Sequence, residues 1–280
     1  MSQISYSTLG FLDRGVESAL DAIAEAGFDQ AEILGQDPHL ASVPRDRALT
    51  EFTARLATRG LAGGTVHAPL SRNVLGAPEE GWRREKVEVL ADYIRFAAAI
   101  GASDIIIHPV PNPCFVPDAD HPEMPQRISD AVSRSLDDLV PIAREAGIHM
   151  LLENLPYHCP YPFLTMMELR PLVDEYPEEV VGLVIDTGHA WTTHHDPAAE
   201  IRAAGHRLGG VHLQDVDYGN PQDDHWMPTH GGLDWDAIRN AFAEIRYAGP
   251  WTFEVAHARQ GESAEELASM TRGVAVSWGL

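Results

Sequence analysis

Residues 181–190 read VGLVIDTGHA: an apolar run closes on Asp186, and His189 follows three positions later. Three more segments share this build, namely 150–156 (MLLENLP, closing on Glu153), 209–215 (GGVHLQD, His212) and 251–257 (WTFEVAH, Glu254). Strands covered on both faces are apolar along their length, so a charged side chain at the end of each is informative. In a parallel barrel such residues converge on one mouth, where barrel enzymes carry their chemistry.

Working outward, QISYS (3–7), QAEIL (30–34), GTVHAP (64–69) and SDIIIHP (103–109) bring the candidate strands to eight. Glu32, His67 and His108 close three of these runs. Helical periodicity fills the intervals at 16–27, 84–101, 127–147 and 234–249, and Gly27, Gly60, Gly101, Gly147 and Gly249 stand at expected helix ends. The resulting fold class is α/β, a single (β/α)8 TIM barrel spanning residues 1–280, close to the roughly 250 residues typical of that fold. No second domain is required. An open doubly wound sheet would spread the polar strand ends along an edge instead of gathering them.

The formal net charge is -22, and among 20 basic residues only Lys86 is a lysine. Such a chain has little to offer a nucleic acid backbone or an anionic membrane. The start, MSQISYSTLGFLDRG, has no basic segment followed by an apolar core and reads as no secretory signal; a cytoplasmic location is the expectation. Cys114 and Cys159 follow candidate strands four and five and read as reduced thiols.

Long irregular segments follow strands four, five and seven: 109–125, 155–163 and 215–232. Loops of that length in a compact domain usually serve function. Trp191, Trp226 and Tyr157 are the aromatics expected nearest a small polar ligand.

Taken singly, a Glu or Asp closing a strand reads as a helix cap or an ion-pair partner. Four such groups at one mouth reverse that reading, because clustered buried charge is costly without a cation. Glu153, Asp186, His212 and Glu254 offer three carboxylates and one imidazole, a mostly hard set suited to one divalent ion, Mn²⁺ first, with Mg²⁺, Co²⁺ or Zn²⁺ as alternatives. His67 and His108 divide evenly between ligand and loop-tethering roles, and Glu32 between a supporting contact and a structural hydrogen bond.

The ordered series TVHAPL, HPVP, LLENLP, VIDTGHA, VHLQDVD, DDHWMPTHGGLDW and WTFEV resembles the xylose-isomerase-like barrel superfamily, which includes sugar isomerases and epimerases and the endonuclease IV class. The resemblance implies that Glu153, Asp186, His212 and Glu254 hold one metal. Glu153 and Glu254 would be the catalytic pair, exchanging a proton with an enediolate of a sugar or polyol. His189 would contact a substrate hydroxyl, with Asp223 and His225 closing over the ligand. An arginine that some ketose epimerases carry in this loop has no counterpart in NPQDDHWMP. Two alternatives come with the resemblance. His67, His108, Glu153, Asp186, His189, His212, Asp223, His225 and Glu254 match the trinuclear zinc site of the nucleases, a phosphodiesterase reading that the acidic charge opposes. A dehydratase of the inosose or dehydroshikimate type would use the same metal site. Members of the superfamily often pair or form tetramers, so a homo-oligomer is an expectation, while nucleic acid and membrane are not expected partners.

Overall fold

The computed structural model describes residues 3–40 and 42–280, and its eight parallel strands close into a barrel in the order of the sequence. The strands are β1 (Ile4–Ser7), β2 (Gln30–Leu34), β3 (Ala62–His67), β4 (Asp104–Ile107), β5 (His149–Glu153), β6 (Val181–Asp186), β7 (Leu208–Leu213) and β8 (Trp251–Phe253). Between and after them run α1 (Val16–Glu25), α2 (Asp46–Thr58), α3 (Glu80–Ile100), α4 (Met124–Ala146), α5 (Met166–Val173), α6 (Thr187–Thr192), α7 (Pro197–Ala204), α8 (Trp235–Glu244) and α9 (Ala264–Ser277).

The helices form where an apolar stripe can face the sheet. In α4 that stripe is Ile128, Val132, Leu136, Leu139 and Ala143, all buried. Gly101 and Gly147 end α3 and α4 in the left-handed conformation, and Gly27 and Gly60 take positive φ just after α1 and α2. Gly249 does not have the expected capping role. α8 stops at Glu244, and Arg246 supplies the positive φ there. What Gly249 provides is clearance, since a Cβ on it would lie 2.5 Å from the Gly209 carbonyl oxygen of β7.

Two register shifts aim side chains into the mouth. One, between Ala31 and Glu32, sets Glu32 opposite Thr65; the other, between Leu183 and Val184, sets Asp186 opposite His212. Such irregularities twist a strand locally and re-aim the side chains beyond them.

The barrel interior has two unlike halves. Ile106, Leu151 and Val184 form a small apolar cluster apart from the main core between sheet and helices. Across from it, Ser5 stands in register with Gln30 on one side and Thr252 on the other. Gly210 leaves room for the apolar half, because a Cβ there would meet Leu151 Cδ1 at 2.8 Å. Gly210→Val is therefore expected to overpack the interior and cost about 1–3 kcal/mol, measured as a lower urea midpoint with an unchanged slope.

Candidate metal centre and active site

The last residues of β3, β5 and β6, those near the ends of β2 and β7 and those just beyond β4 and β8 gather their side chains at one end of the barrel. Glu32, His67, Glu153, Asp186, His212 and Glu254 are all buried there. Glu153 is the hub. Its Oε1 lies 2.9 Å from His212 Nδ1 and 3.4 Å from His189 Nδ1, and its Oε2 lies 3.2 Å from His108 Nε2 and 3.4 Å from His67 Nε2. Ligand atoms of Glu153, Asp186, His212 and Glu254 fall within 4.8 Å of one another. Three further groups meet the same limit around this one: His67 with His108 and Glu153, His67 with His212 and Glu254, and His189 with Asp223 and His225.

Backbone carbonyls orient the imidazoles. Nδ1 of His67 donates to Ala68 O (2.8 Å), Nδ1 of His189 to Asn154 O (2.9 Å) and Nδ1 of His225 to Glu254 O (3.2 Å). That leaves each Nε2 facing a carboxylate: Glu153 for His67, and Asp223 Oδ1 for His189 (3.1 Å) and His225 (3.0 Å). Two lone pairs so placed repel unless a proton or a cation lies between them. Glu153 Oε2, though flanked by two imidazole nitrogens, accepts no hydrogen bond. The donor set and its geometry fit a divalent cation, and the fixed ring orientations are those metal ligands need.

Without a cation, protons must balance this charge. Burial opposes ionisation of Glu153, but His212, His108 and His67 outweigh it and hold the carboxyl well below its usual range. For Glu254 burial prevails and lifts it to about 7 despite His212 and His225. Burial works against charging His225 as well, yet Asp223 and Glu254 push it to about 9, and their counterparts around His189 and His212 raise those two well above the usual imidazole value.

Glu32 lies behind this layer, outside the cavity. Its Oε2 accepts from His212 Nε2 (3.1 Å) and Thr65 Oγ1 (2.9 Å), which fixes the His212 tautomer and turns Nδ1 toward Glu153 and Glu254. Two orienting residues carry no signal as single letters. Gln214 donates from Nε2 to Asp186 Oδ2 (3.2 Å) and Asp223 Oδ1 (3.3 Å) and accepts from the His225 N–H (2.8 Å). Asn154 exchanges hydrogen bonds with the Asp186 backbone, at 3.0 and 2.8 Å. The two-residue alternation from His212 places Gln214 on the same face, and that is the signal by which it could have been found.

A cavity of about 260 Å³ opens above the cluster. His67, His108, Glu153, His189, Asp223, His225 and Glu254 form its polar side, and Tyr157 lines it as expected. Trp191 and Trp226 do not. Trp191 stacks on Tyr218 with ring centroids 4.5 Å apart, and Trp226 pairs with Asp215 across a short antiparallel bridge under the Arg259 guanidinium. Leu9, Leu34, Leu70 and Phe115 take the wall those tryptophans were expected to supply. Cys114 and Cys159 are free thiols.

The barrel and its layered carboxylate–imidazole mouth define a class, and comparison with known proteins agrees with it. The profile of xylose isomerase-like TIM barrels matches residues 20–273, and the chain belongs to that family. An uncharacterized protein of Sinorhizobium fredii is 29% identical over 86% of this chain and 81% of its own. An L-ribulose 3-epimerase of a Methylomonas species is 26% identical over 86% of this chain and 78% of its own. Among solved structures, a D-tagatose 3-epimerase-like protein superposes with a TM-score of 0.80 at 23% identity, covering all of both chains. Among the described residues no helix is long and apolar enough to cross a membrane.

If Glu32 orients His212 as its contacts indicate, Glu32→Ala is expected to weaken Mn²⁺ binding about 10- to 100-fold. Isothermal titration with Mn²⁺ alone measures this, and an unchanged affinity would leave Glu32 a purely structural role.

Proposed function

We propose that the protein is a divalent-metal-dependent epimerase or isomerase of a small ketose or polyol-type sugar. The observation that carries this reading is the grouping of Glu153, Asp186, His212 and Glu254 beside a small cavity that Glu153 and Glu254 line and whose lining contains no Lys or Arg. At about 260 Å³ the cavity lies below the usual 300–1,000 Å³ range for drug-sized ligands. A small neutral molecule suits it better than a polyanion. The likeness to an L-ribulose 3-epimerase over most of both chains supports the same reading.

Glu153, Asp186, His212 and Glu254 would hold one cation, Mn²⁺ first by ligand type. When bound, it supplies the positive charge that stabilises the oxyanion of an enediolate. One of the two glutamates removes the proton from the carbon beside the substrate carbonyl, and the other returns a proton. Return to the opposite face of that carbon epimerises it; return to the neighbouring carbon interconverts aldose and ketose. His189, tethered through Nδ1 and with Nε2 toward Asp223, would contact a substrate hydroxyl, with Asp223 and His225 closing over the ligand. Leu9, Leu34, Leu70 and Phe115 give the cavity an apolar wall against which the carbon skeleton of a small sugar would lie.

A second reading rests on the neighbouring ligand groups, which could take three zinc ions and hydrolyse a phosphodiester. The formal net charge of -22 and a cavity lining without Lys or Arg oppose it. The dehydratase alternative uses the same metal and the same proton abstraction, and differs in the loss of water.

Glu153→Gln and Glu254→Gln are each expected to lower turnover about 10²- to 10⁴-fold, the range of a lost general acid or base. The assay is chromatographic screening of free ketoses and inososes, with uptake of solvent deuterium at the reacting carbon. Substantial activity in both variants would remove them from proton transfer. Elemental mass spectrometry on protein purified without an affinity tag is expected to find about one metal per chain. Close to three zinc ions, with cleavage of an abasic-site duplex, would favour the nuclease instead.

A further inference from the structure

The loop between β7 and α8 carries Asp223 and His225 into the cavity, and nothing within the ligand groups explains how some twenty residues of irregular chain hold them there. The answer lies on the opposite side of the strand end. Asp215 follows Gln214, so the two side chains leave the backbone in opposite directions. Gln214 turns to the metal cluster. Asp215 turns into the neck of the loop and is fully buried.

Its carboxylate collects five donors from both ends of the loop. Oδ1 accepts from the backbone N–H of Val216 (3.0 Å), Gly232 (3.0 Å) and Leu233 (3.1 Å). Oδ2 accepts from the Thr229 N–H (2.9 Å) and the Trp235 indole Nε1–H (2.8 Å). Among the described residues no Arg, Lys or His is paired with it; its partners are main-chain dipoles and one indole. The Asp215 backbone also pairs with Trp226 in both directions, at 2.8 and 3.0 Å. Gly231 completes the arrangement, because a Cβ there would fall on Asp215 Oδ1 and on the Val216 carbonyl oxygen.

We infer that Asp215 is the positioning residue of the active-site loop. It fastens residues 216 and 229–235 to one point, so that the intervening chain can present Asp223 to His189 and His225 to Glu254. A carboxylate suits this role because two oxygens can accept five N–H groups without a donor of their own. An amide cannot, since its NH₂ would face the donors on one side. The inference concerns the loop and is independent of whether the reaction is epimerisation, dehydration or hydrolysis.

Hydrogen–deuterium exchange with mass spectrometry tests it on the full chain, comparing wild type with Asp215→Asn and Gly231→Ala. The expected result is that both variants raise early deuterium uptake in peptides covering 216–235. Peptides covering 149–153 and 181–186 should keep wild-type protection, because the barrel strands do not use this carboxylate. Trp235→Phe, which removes one donor of the five, should give a smaller rise confined to the same loop. Any turnover found should fall about 10- to 100-fold in Asp215→Asn. Unchanged uptake across 216–235 in Asp215→Asn would overturn the inference. So would a rise shared equally by the barrel strands, because Asp215 would then support the fold as a whole. Should Asp215→Asn fail to fold, the same comparison is read from Gly231→Ala and Trp235→Phe.

Discussion

The carboxylate of Glu153 lies within 3.4 Å of nitrogens from four histidines, and Glu153 itself is buried. Much of the architecture comes from having to place that charge in a dry interior. His67, His108, His189 and His212 come from four different strand–loop junctions, so no local segment can satisfy Glu153 alone. Only closure of the barrel brings them together. The rings of His67, His189 and His212 in turn need fixed tautomers, which carbonyls of Ala68 and Asn154 and the Glu32 carboxylate provide. The fold and the site are therefore one electrostatic problem: strands supply the radius, loop carbonyls the orientation, and a divalent cation or protons the balancing charge.

Much of this was legible in the chain because the signal is local. A charged residue ending an apolar run is visible as a pattern, and the closed barrel gathers Glu32, His67, His108, Glu153, Asp186, His212 and Glu254 at one mouth. Helix ends were also readable where they depend on one residue, as at Gly101 and Gly147. Gly249 misled because glycine serves two purposes: a positive φ and clearance for a neighbouring strand. At that position the neighbour, Gly209, is forty residues away in sequence, and Arg246 accepts the strained conformation instead.

The cavity wall was the least legible part. Trp191 and Trp226 have the composition of a sugar platform, but each is satisfied elsewhere, by Tyr218 and by the Asp215 bridge with Arg259. The leucines and Phe115 that take the wall look like ordinary core residues until the barrel closes. Gln214 and Asn154 are harder still. A neutral amide carries no charge to count, and its importance lies entirely in which two groups it joins.

Asp186 combines two duties on one side chain. It belongs to the candidate ligand group, and it is also the N-cap of α6, with Oδ1 accepting from the His189 N–H at 2.7 Å. The bond therefore also fixes the backbone from which the His189 imidazole projects. The two duties select differently. Asparagine would cap the helix and lose the charge, whereas glutamate would keep the charge on a longer arm that caps poorly. Aspartate meets both demands where those two meet one each, so either replacement at 186 would disturb the charge of the candidate ligand group or the aim of His189.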